Sequence, residues 1–414
     1  MKVLFINRYE NSGGAAIAGQ RIGAALQKYY HTQNHFIAGT HHTNAANVTV
    51  TRKGPVINFI ERGWNVASNL VGLQYLWFPF SSAVIMDTVK RFKPDVISLH
   101  NIHGGYFDAA LLPKLSQYAP IVWTLHDMWA ITANAAHTFG DTSWKSGLPA
   151  KGEYKHSPNT GIDTGNFLIR RKQRIYAESE LYIVSPAEWL YNMTKESPLT
   201  KNKPLYHIPN PIDTDQYQPQ DKQAARAALG LTENFPVISF VSERLFASEF
   251  KGGKELLQVL ALLDEQLDRD VYLLMIGKDR LPVEYRHLKG VYTGYVSGVD
   301  RMMQCYSASD LFIYPTKADT LPNVLIEAGS CATPCITFDV GGCAEIVADG
   351  QSGYVIPPGD YRHFAAAVLD LLADGEKRAR FSAQARTYII NHFGMETIAA
   401  QYYQLFSAVA RHHK

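Results

Sequence analysis

Two acidic side chains, Asp319 and Glu327, lie eight positions apart in the stretch ADTLPNVLIEAGSCATPCI, residues 318–336, which carries no other charge. Asp319 stands before a predicted helix start, and Glu327 follows one apolar helical turn. On one interpretation both are ordinary charges, because acids favour helix N-termini and helix surfaces. On the other interpretation both bind a ligand, and Glu327 accepts hydrogen bonds from the two neighbouring hydroxyls of a ribose.

The same predicted helix start offers backbone N–H groups to a phosphate or a sugar oxygen. Free N–H groups and the positive end of the helix dipole make a helix N-terminus suited to anions. Pro322 has no N–H group to give. The donors would therefore be the amides of Leu321, Asn323 and Val324.

Two cations follow an earlier predicted strand in SERLFASEFKGGKEL, residues 242–256. Arg244 ends that strand, and Lys251 precedes a Gly-Gly pair and a helix. An arginine can bind a diphosphate through two parallel hydrogen bonds, and a lysine acts on it as a point charge. The alternative is a solvated basic loop.

A glycine pair follows the first predicted strand, in NSGGAAIAG at residues 11–19. Gly13 and Gly14 would let a ligand approach the backbone closely ahead of a helix. The stretch lacks the GxGxxG spacing of a dinucleotide-binding loop, so a dehydrogenase is disfavoured. A tight turn alone would also explain the two glycines.

Histidines occupy the carboxyl ends of two predicted strands. His126 lies in WTLHDMW, whereas His100, Asn101 and His103 lie in LHNIHGGY. Because ligands of doubly wound sheets bind beyond these strand ends, a catalytic or acceptor-binding role is one interpretation and a structural role is the other. No carboxylate or cysteine completes a metal-ligand pattern, so no metal ion is predicted.

Composition and charge narrow the class of protein. With 46% hydrophobic and 19% charged residues among 414, the chain can form two or three globular domains. Residues 1–205 contain 21 Lys and Arg against 13 Asp and Glu, a balance of +8, and the remainder contains 19 against 25, or −6. The basic first half favours anionic partners such as phosphates or an acidic membrane surface. No nucleic-acid-binding signature is present, so no nucleic-acid partner is expected.

The sequence offers no targeting signal. It has no uncharged apolar run of about 18 residues, and the opening MKVLFINRYENSGG is too short in its apolar part for a signal peptide. We therefore expect a cytoplasmic protein. The four cysteines match no zinc spacing and are predicted to be small, reduced core residues: Cys305, Cys331, Cys335 and Cys343.

Short apolar runs alternate with helical patterns in both halves. This alternation predicts two doubly wound parallel sheets. In the second half, helices are predicted near residues 253–267, 299–308 and 323–331. Residues 135–165 have no periodicity and are predicted to be a long functional loop or lid. Residues 360–411 are predicted to be helical throughout.

Several motifs, taken in order, resemble a known family. LPNVLIEAGSCATPCI follows DLFIYP, IPNPIDTDQY opens the second half, an arginine and KGG follow its first strand, and GGCAEIVADGQSGYVIPPGD lies further on. Together they closely resemble glycosyltransferase family four, retaining enzymes of the GT-B architecture. NSGGAAIAGQRI, LHNIHGGYF and VWTLHDMW resemble its bacterial exopolysaccharide branch, of the colanic-acid biosynthesis type.

The resemblance implies an α/β fold with two Rossmann-like, doubly wound domains facing across a cleft. Residues 1–205 would form the acceptor-side domain and residues 206–390 the nucleotide-sugar domain. Residues 391–414 would form a helix that returns to the first domain.

The resemblance also implies a role for each candidate residue of the second half. Glu327 would bind the ribose of the nucleotide, and Asp319 would contact hydroxyls of the donor sugar. Arg244 and Lys251 would stabilise the leaving diphosphate. The nucleobase would meet the backbone at Tyr295 and Val296.

In the first half, Gly13 and Gly14 would close over donor and acceptor, and His126 would face the donor sugar.

Two departures from the family pattern lie in the second half. The first acid, usually Glu, is the shorter Asp319. Arg244 and Lys251 stand two positions further apart than is usual, so the loop between them must bulge.

The implied activity is retaining transfer of a sugar from a nucleotide-diphosphate donor to a saccharide or lipid-linked saccharide, in cell-surface polysaccharide biosynthesis. It would need no metal ion and no cofactor. A nucleotide-sugar epimerase of the same fold and a non-catalytic nucleotide-sugar-binding protein are the open alternatives.

Membrane contact is a further expectation for the first domain. The aromatic stretch YLWFPF, residues 75–80, lies near the basic VKRFKP, residues 89–94. Together they predict peripheral contact at the inner face of the cell membrane. Ordinary core packing beside a solvated basic face is the alternative.

Overall fold

The computed structural model describes residues 1–40, 43, 45–52, 54–241 and 243–413. The chain divides into unit 1, formed by Met1–Pro211 with Met395–Lys414, and unit 2, formed by Ile212–Gly394. Among the described residues, no helix combines the length and apolar character needed to cross a membrane.

Apolar runs of the sequence form the strands, which are short and mostly buried. Val96–Leu99 and Ile121–Thr124, for example, are buried at every position, as expected for parallel strands covered on both faces. The strands of the described chain are β1 (Lys2–Tyr9), β2 (Gln33–Thr40), β3 (Val48–Val50), β4 (Val96–Leu99), β5 (Ile121–Thr124), β6 (Leu181–Ser185), β7 (Leu205–His207), β8 (Val237–Val241), β9 (Val271–Ile276), β10 (Leu288–Tyr292), β11 (Leu311–Tyr314), β12 (Cys335–Phe338) and β13 (Gly353–Ile356).

Helices connect the strands and cover the sheets. The α-helices of the described chain are α1 (Gly14–Tyr30), α2 (Pro55–Leu70), α3 (Pro79–Phe92), α4 (Leu112–Leu115), α5 (Gly165–Ala177), α6 (Glu188–Glu196), α7 (Lys222–Ala228), α8 (Gly253–Gln266), α9 (Val299–Ala308), α10 (Asn323–Ser330), α11 (Cys343–Ile346), α12 (Tyr361–Ala373), α13 (Gly375–Phe393) and α14 (Met395–His412). Short 3₁₀ helices span Ala109–Leu111, Met128–Ala130, Ser143–Ser146 and Glu153–Lys155.

Both sheets are parallel and doubly wound. Unit 1 has the strand order β3-β2-β1-β4-β5-β6-β7, and unit 2 has the order β10-β9-β8-β11-β12-β13. The predicted fold class, two Rossmann-like α/β domains, is therefore confirmed. The order reverses between β1 and β4 in unit 1 and between β8 and β11 in unit 2, and ligands of such sheets bind beyond the carboxyl ends of these strands.

The last helix, α14, is part of the core of unit 1. Tyr402 and Phe406 are fully buried and pack in one cluster with Phe5 and Leu26. The Tyr402 hydroxyl also lies 3.2 Å from Oγ1 of Thr124, at the end of β5.

The predicted helices of unit 2 are confirmed to within one residue by α8, α9 and α10. Residues 360–411 are helical almost throughout, as predicted, and short breaks divide them into α12, α13 and α14. Asp374 marks one break, since its carboxylate accepts a hydrogen bond from the Lys377 amide and so begins α13. Helix α2 was not predicted at all.

The prediction of a long loop over residues 135–165 is confirmed, because these residues contain no strand and no α-helix before α5 begins at Gly165. Two 3₁₀ turns lie within them, and Glu153 is almost fully buried. Its carboxylate accepts hydrogen bonds from the amides of Asn134, at 2.8 Å, and Ala150, at 2.9 Å. A buried acid whose oxygens are satisfied by backbone N–H groups fixes the segment to unit 1.

Candidate functional site

The clearest cluster of functional groups lies in unit 2, just beyond the carboxyl end of β11. Nζ of Lys251 lies 3.3 Å from a carboxylate oxygen of Asp319 and 3.3 Å from the hydroxyl of Tyr314. The Tyr314 hydroxyl donates a hydrogen bond of 2.8 Å to the same oxygen of Asp319. Two of the predicted site residues are thus brought together, and Tyr314 connects them.

The KGG sequence explains how Lys251 reaches this position. Gly252 has a φ of +71°, and a Cβ on it would lie 1.9 Å from the carbonyl oxygen of Pro315. Only glycine therefore lets the backbone approach the end of β11 so closely. The carbonyl oxygen of Phe250 also accepts hydrogen bonds from the amides of Lys317 and Ala318, at 2.9 and 3.2 Å.

The charges of this cluster favour a permanently cationic lysine. The hydroxyl of Tyr314 and then the carboxylate of Asp319 raise the pKa of Lys251, against the opposing effect of burial. Burial, and next the neighbouring Asp319, raise the pKa of Tyr314. Tyr314 is therefore a neutral hydrogen-bond donor, and Lys251 keeps its charge across the physiological pH range.

Glu327 is not a surface charge, so the ordinary interpretation of this acid is wrong. It points from α10 into the protein, is only 6% exposed, and accepts a 3.0 Å hydrogen bond from the hydroxyl of Tyr306. Burial, and next the charge of Glu327, raise the pKa of Tyr306, which keeps this hydroxyl protonated as a donor. The hydrogen bond from Tyr306 therefore helps to hold the buried carboxylate of Glu327 in position.

The start of α10 follows Asp319 directly. Pro322 precedes the helix, and its carbonyl oxygen accepts the first helical hydrogen bond from the amide of Leu325. The side chains of Leu321 and Asn323 are buried, whereas Val324 is half-buried. Of the predicted amide donors, Asn323 and Val324 therefore open α10, and Leu321 lies two positions before the helix and two after Asp319.

Arg244 lies in the same part of unit 2 but makes no contact with the cluster. Its side chain is exposed, and the described residues provide it with no hydrogen-bond or ion-pair partner. Its φ is +61°, and its carbonyl oxygen accepts hydrogen bonds from the amides of Ala247 and Ser248. This turn accommodates the two additional residues before Lys251. Ser242, which opens the quoted stretch, lies outside the described residues.

The predicted nucleobase contacts lie after β10. Tyr295 is 55% exposed, and Nζ of Lys278 stands 5.2 Å from the centre of its ring. Val296 is half-buried and packs against the core cluster that contains Val237 and Cys305. Tyr295 thus presents an accessible aromatic face, while Val296 anchors the segment.

In unit 1, Gly13 is the residue that begins α1 after β1. It has a φ of +83° and caps α1 by accepting hydrogen bonds from the amides of Ala16 and Ile17. A Cβ on Gly13 would meet no atom within 4 Å, so its glycine is explained by the backbone conformation rather than by crowding. Gly13 and Gly14 are both exposed.

His126 and His100 form a stacked pair of imidazoles at the ends of β5 and β4. Nδ1 of His100 lies 2.9 Å from Nε2 of His126, and the ring centres are 5.2 Å apart. Burial lowers the pKa of His126 to about 4. Burial, and then His126, also hold the pKa of His100 well below its ordinary value. The pair is therefore neutral at neutral pH.

A second pair stands next to these imidazoles. Nε2 of His103 lies 2.6 Å from a carboxylate oxygen of Asp127. Burial alone would raise the pKa of Asp127, but His103 and the amide of Trp129 lower it below the usual value. A small cavity of unit 1 is lined by residues of both pairs and by Asn101 and Trp129. Within the described chain, Nδ1 of His103 and Oδ1 of Asn101 are buried without a hydrogen-bond partner, so the cavity has polar atoms to offer.

Sequence reasoning missed three residues of these clusters: Tyr314, Tyr306 and Asp127. Tyr314 is the last residue of its strand, five positions before Asp319, and that position was a usable signal. Asp127 directly follows His126 in the sequence, so it too could have been found. Tyr306 had no local signal, because it approaches Glu327 only through the packing of α9 on α10.

The four cysteines are free and buried, which confirms the prediction made for them. In the described ranges, no group of three or more His, Cys, Asp or Glu side chains is arranged to hold a metal ion.

Known proteins share the pattern of unit 2. Residues 221–388 match the family model described as glycosyl transferases group 1. The match covers less than half of the chain and lies within unit 2. The matched range contains Arg244, Lys251, Asp319 and Glu327.

Curated proteins are also similar to this chain. N-acetyl-alpha-D-glucosaminyl L-malate synthase of Bacillus anthracis is 25% identical over 250 residues, which are 58% of this chain and 63% of that protein. D-inositol 3-phosphate glycosyltransferase 2 of Catenulispora acidiphila is 30% identical over 211 residues, 47% of this chain and 48% of that protein. The chain thus spans less than two thirds of the length of these relatives.

Solved structures with the same fold cover nearly the whole chain. HepE of Anabaena in complex with UDP-glucose has a TM-score of 0.68 at 18% identity, covering 99% of this chain and 100% of that one. Sucrose-phosphate synthase of Thermosynechococcus elongatus has a TM-score of 0.70 at 17% identity, covering 98% and 99%. At these identities the likeness concerns the fold alone.

Proposed function

We propose that this protein is a retaining glycosyltransferase that moves a sugar from a nucleotide-diphosphate donor to a saccharide or lipid-linked saccharide acceptor. The observation that carries the proposal is the Lys251–Tyr314–Asp319 cluster, which stands beyond β11 at the strand reversal of unit 2 and within the range that matches the group 1 family model. A charged lysine beside a sugar-binding carboxylate suits a substrate that joins a diphosphate to a sugar.

In the proposed reaction the bond between the anomeric carbon and the diphosphate oxygen breaks, and its electron pair leaves with the diphosphate. Lys251 and Arg244 stabilise the negative charge that develops on this leaving group. The acceptor oxygen bonds to the anomeric carbon on the same face, and its proton passes to the departing diphosphate. No side chain acts as a nucleophile, so catalysis depends on positioning and charge stabilisation.

Other residues of unit 2 are proposed to hold the donor. Asp319 binds hydroxyls of the sugar, and Glu327 binds the ribose. The amides at the start of α10 bind phosphate oxygens, and the exposed ring of Tyr295 with Val296 lies against the nucleobase. The amide donors are those of Leu321, Asn323 and Val324.

Unit 1 is proposed to supply hydrogen-bonding groups, among them the neutral imidazoles of His100 and His126. His126 faces the donor sugar, and the loop of Gly13 and Gly14 closes over the substrates. His100, Asn101 and His103 lie on the acceptor side. Neutral imidazoles can donate and accept hydrogen bonds from hydroxyls without adding charge, which suits a saccharide. We place this activity in the cytoplasm, in the synthesis of cell-surface polysaccharide, as in the exopolysaccharide branch.

The first test is a thermal-shift screen against UDP-, GDP-, ADP- and dTDP-sugars, because a ligand that binds only the native state raises the melting temperature. UDP-sugars come first, since a structural relative was solved with UDP-glucose. The bound donor is then incubated with and without saccharide acceptors, and the products are followed by NMR. The expected product keeps the anomeric configuration of the donor.

Two results would overturn the proposal. A new sugar epimer formed from donor alone would indicate an epimerase. Donor binding with neither transfer nor slow donor hydrolysis would indicate a binding protein. A third measurement concerns metal: because Lys251 and Arg244 supply positive charge, we expect transfer to continue in the presence of a chelator, and its abolition would contradict that role.

A further inference from the structure

Helix α2 of unit 1 is turned so that its apolar side chains face solvent. Phe59 is 80% exposed and Leu70 is 63% exposed, and Val56 and Val66 on the same side are also exposed. Its fully buried side chains are instead the polar Glu61 and Ser68. Monomeric soluble proteins rarely expose a contiguous apolar face of this kind without a partner for it.

Buried polar contacts fix α2 in this orientation. The carboxylate of Glu61 accepts hydrogen bonds from the amide of Ser81, at 2.9 Å, and from the Ser81 hydroxyl. Nε of Arg52 lies 3.6 Å from the same carboxylate. Rotation of the helix to bury Phe59 would break these contacts and leave the buried polar groups of Ser81 and Arg52 without the Glu61 carboxylate. The fold therefore specifies that the apolar face of α2 points outward.

The exposed face continues beyond α2. Trp64 of α2 packs edge-on against Trp77, which is 61% exposed. At the other end of the helix, the amide of Gly161 donates to the carbonyl of Asn69 at 2.8 Å, which sets the exposed Ile162 beside Leu70. We define the exposed apolar surface by six residues: Val56, Phe59, Val66, Leu70, Trp77 and Ile162.

Cations without ion-pair partners in the described chain are exposed on α2 and on α5, whose start lies near the end of α2. Thr164, which precedes α5, donates to the carbonyl of Gly72 at 2.6 Å and so places the start of α5 against the end of α2. Arg170 and Arg174 lie on one exposed face of α5, and Arg62 is exposed on α2. The described part of the chain gives these three guanidinium groups no ion-pair partner.

The acidic side chains of this part of unit 1 already accept hydrogen bonds from other residues of the protein. Glu61 is buried, and Asp108 accepts hydrogen bonds from Arg171 and from the amide of Trp77. Asp163 is exposed, and one of its carboxylate oxygens accepts a hydrogen bond from the amide of Gly165. The exposed positions of α2 and α5 therefore carry more positive than negative charge.

We propose that the exposed apolar surface docks onto an anionic lipid bilayer, with the α2 face in the interfacial region and Arg62, Arg170 and Arg174 on the lipid phosphates. A helix with aromatic and aliphatic side chains on one face and cations beside it binds in this way. A second copy of the chain is less suited as the occupant, because a two-fold contact would bring the like charges of the two copies together. The proposal goes beyond the transfer reaction, since docking needs neither donor nor acceptor.

This surface corrects the sequence expectation for membrane contact. Within YLWFPF, Tyr75 and Phe78 are core residues, and only Trp77 and Phe80 are well exposed. Within the predicted basic helix, α3 already ends at Phe92, and Arg91 pairs with Asp87. The apolar contact is therefore assigned to α2 and the basic contact to α5.

The experiment measures co-sedimentation of the full chain with phosphatidylcholine vesicles and with vesicles that also contain phosphatidylglycerol. The test variant is F59S/L70S, and the charge variant is R170E/R174E. The matched control is V283S/I390S, which removes two exposed apolar side chains from unit 2. Circular dichroism and melting temperature confirm that each variant is folded.

We expect the wild type to bind anionic vesicles and to be released in about 1 M salt, where charges are screened within about 3 Å. F59S/L70S should lose at least about tenfold in partition coefficient, because two large apolar groups no longer enter the interface. R170E/R174E should lose the preference for anionic lipid, and V283S/I390S should behave as the wild type.

Three outcomes would overturn the proposal: no binding of the wild type to anionic vesicles, unchanged binding of F59S/L70S, or equal loss in V283S/I390S. A dimer in light scattering that F59S/L70S converts to a monomer, with vesicle binding intact, would assign the surface to a second copy of the chain. No donor is present in these measurements, so their failure leaves the proposed transfer reaction untouched.

Discussion

The candidate site residues of unit 1 and unit 2 differ in their charge. Unit 2 presents a lysine whose pKa is raised and a carboxylate 3.3 Å away. Unit 1 presents two stacked imidazoles whose pKa values are lowered by burial, so both are neutral at pH 7. The same Rossmann-like scaffold thus supplies a cation beside a carboxylate at one strand reversal, and two neutral imidazoles beside the His103–Asp127 pair at the other.

The two units also require glycine for different reasons, at Gly13 in unit 1 and at Gly252 in unit 2. Gly13 of unit 1 needs a positive φ but has open space around it, whereas Gly252 of unit 2 needs a positive φ and close backbone contact. The Lys251 cluster is therefore specified by backbone geometry, and the loop of Gly13 only by conformation.

The largest effect is expected for Gly252→Ala. Its Cβ would meet the Pro315 oxygen at 1.9 Å, and relieving that clash requires the 250–252 segment to leave β11. We expect a loss of at least about 4 kcal/mol in the free energy of unfolding, measured by denaturant titration. The matched control is Gly230→Ala, which has a similar φ of +73° and open space and should cost only about 1–2 kcal/mol. Equal losses in both would show that φ alone matters at Gly252.

The next effect is expected for Lys251→Ala, which removes the charge from unit 2. Because negative charge on the diphosphate grows as the bond breaks, the loss should fall on the maximal rate and reach at least about 100-fold in kcat/KM. Lys254→Ala, at an exposed position of α8, is the control and should stay near wild type. A fall in donor affinity with the maximal rate intact would contradict the leaving-group role.

Glu327→Ala should reduce kcat/KM by roughly 10- to 100-fold, because each charge-assisted hydrogen bond contributes about 1.5–3 kcal/mol. The companion variant Tyr306→Phe removes the donor that holds Glu327 but leaves the carboxylate, so its effect on kcat/KM should be smaller. Wild-type kinetics in a folded Glu327→Ala protein would contradict the proposal that Glu327 binds the ribose.

The smallest effect concerns the neutral imidazoles of unit 1. The pKa of His126 is about 4 in the folded protein and about 6.5 in the unfolded chain. Between these values the unfolded state binds more protons, so stability falls as the pH falls, by about 1 kcal/mol from about pH 7 to about pH 5.5. His126→Gln should flatten this dependence in chemical denaturation. An unchanged slope would show that another group titrates.

The sequence predicted the elements around the unit 2 site closely. Helices α8 and α10 begin within one residue of their predicted starts, because glycine and proline mark their N-termini and apolar spacing marks their lengths. Lys251 and Asp319 were both named as site residues, and they meet. Asp319 was readable because the stretch of residues 318–336 carries only one other charge, and Lys251 because it directly precedes a Gly-Gly pair.

Other features could not be read locally. Nothing in the sequence of α2 shows which of its faces is outward, because that choice depends on Glu61 finding Ser81 twenty positions away. In the same way, the pairing of Tyr306 with Glu327 joins two helices across a strand. Sequence periodicity shows that a helix has an apolar face. Only the residues that pack against the helix decide which way that face points.

By itself, the sequence determined the alternation of strands and helices, the two Rossmann-like units and the identity of the chemical groups, because period, turn residues and charge are local properties. The tertiary structure decided that β8 and β11 are neighbours, that Glu327 is buried and that Tyr314 joins Lys251 to Asp319. These facts depend on contacts between residues far apart in the chain, and such contacts form only when the whole sheet is assembled.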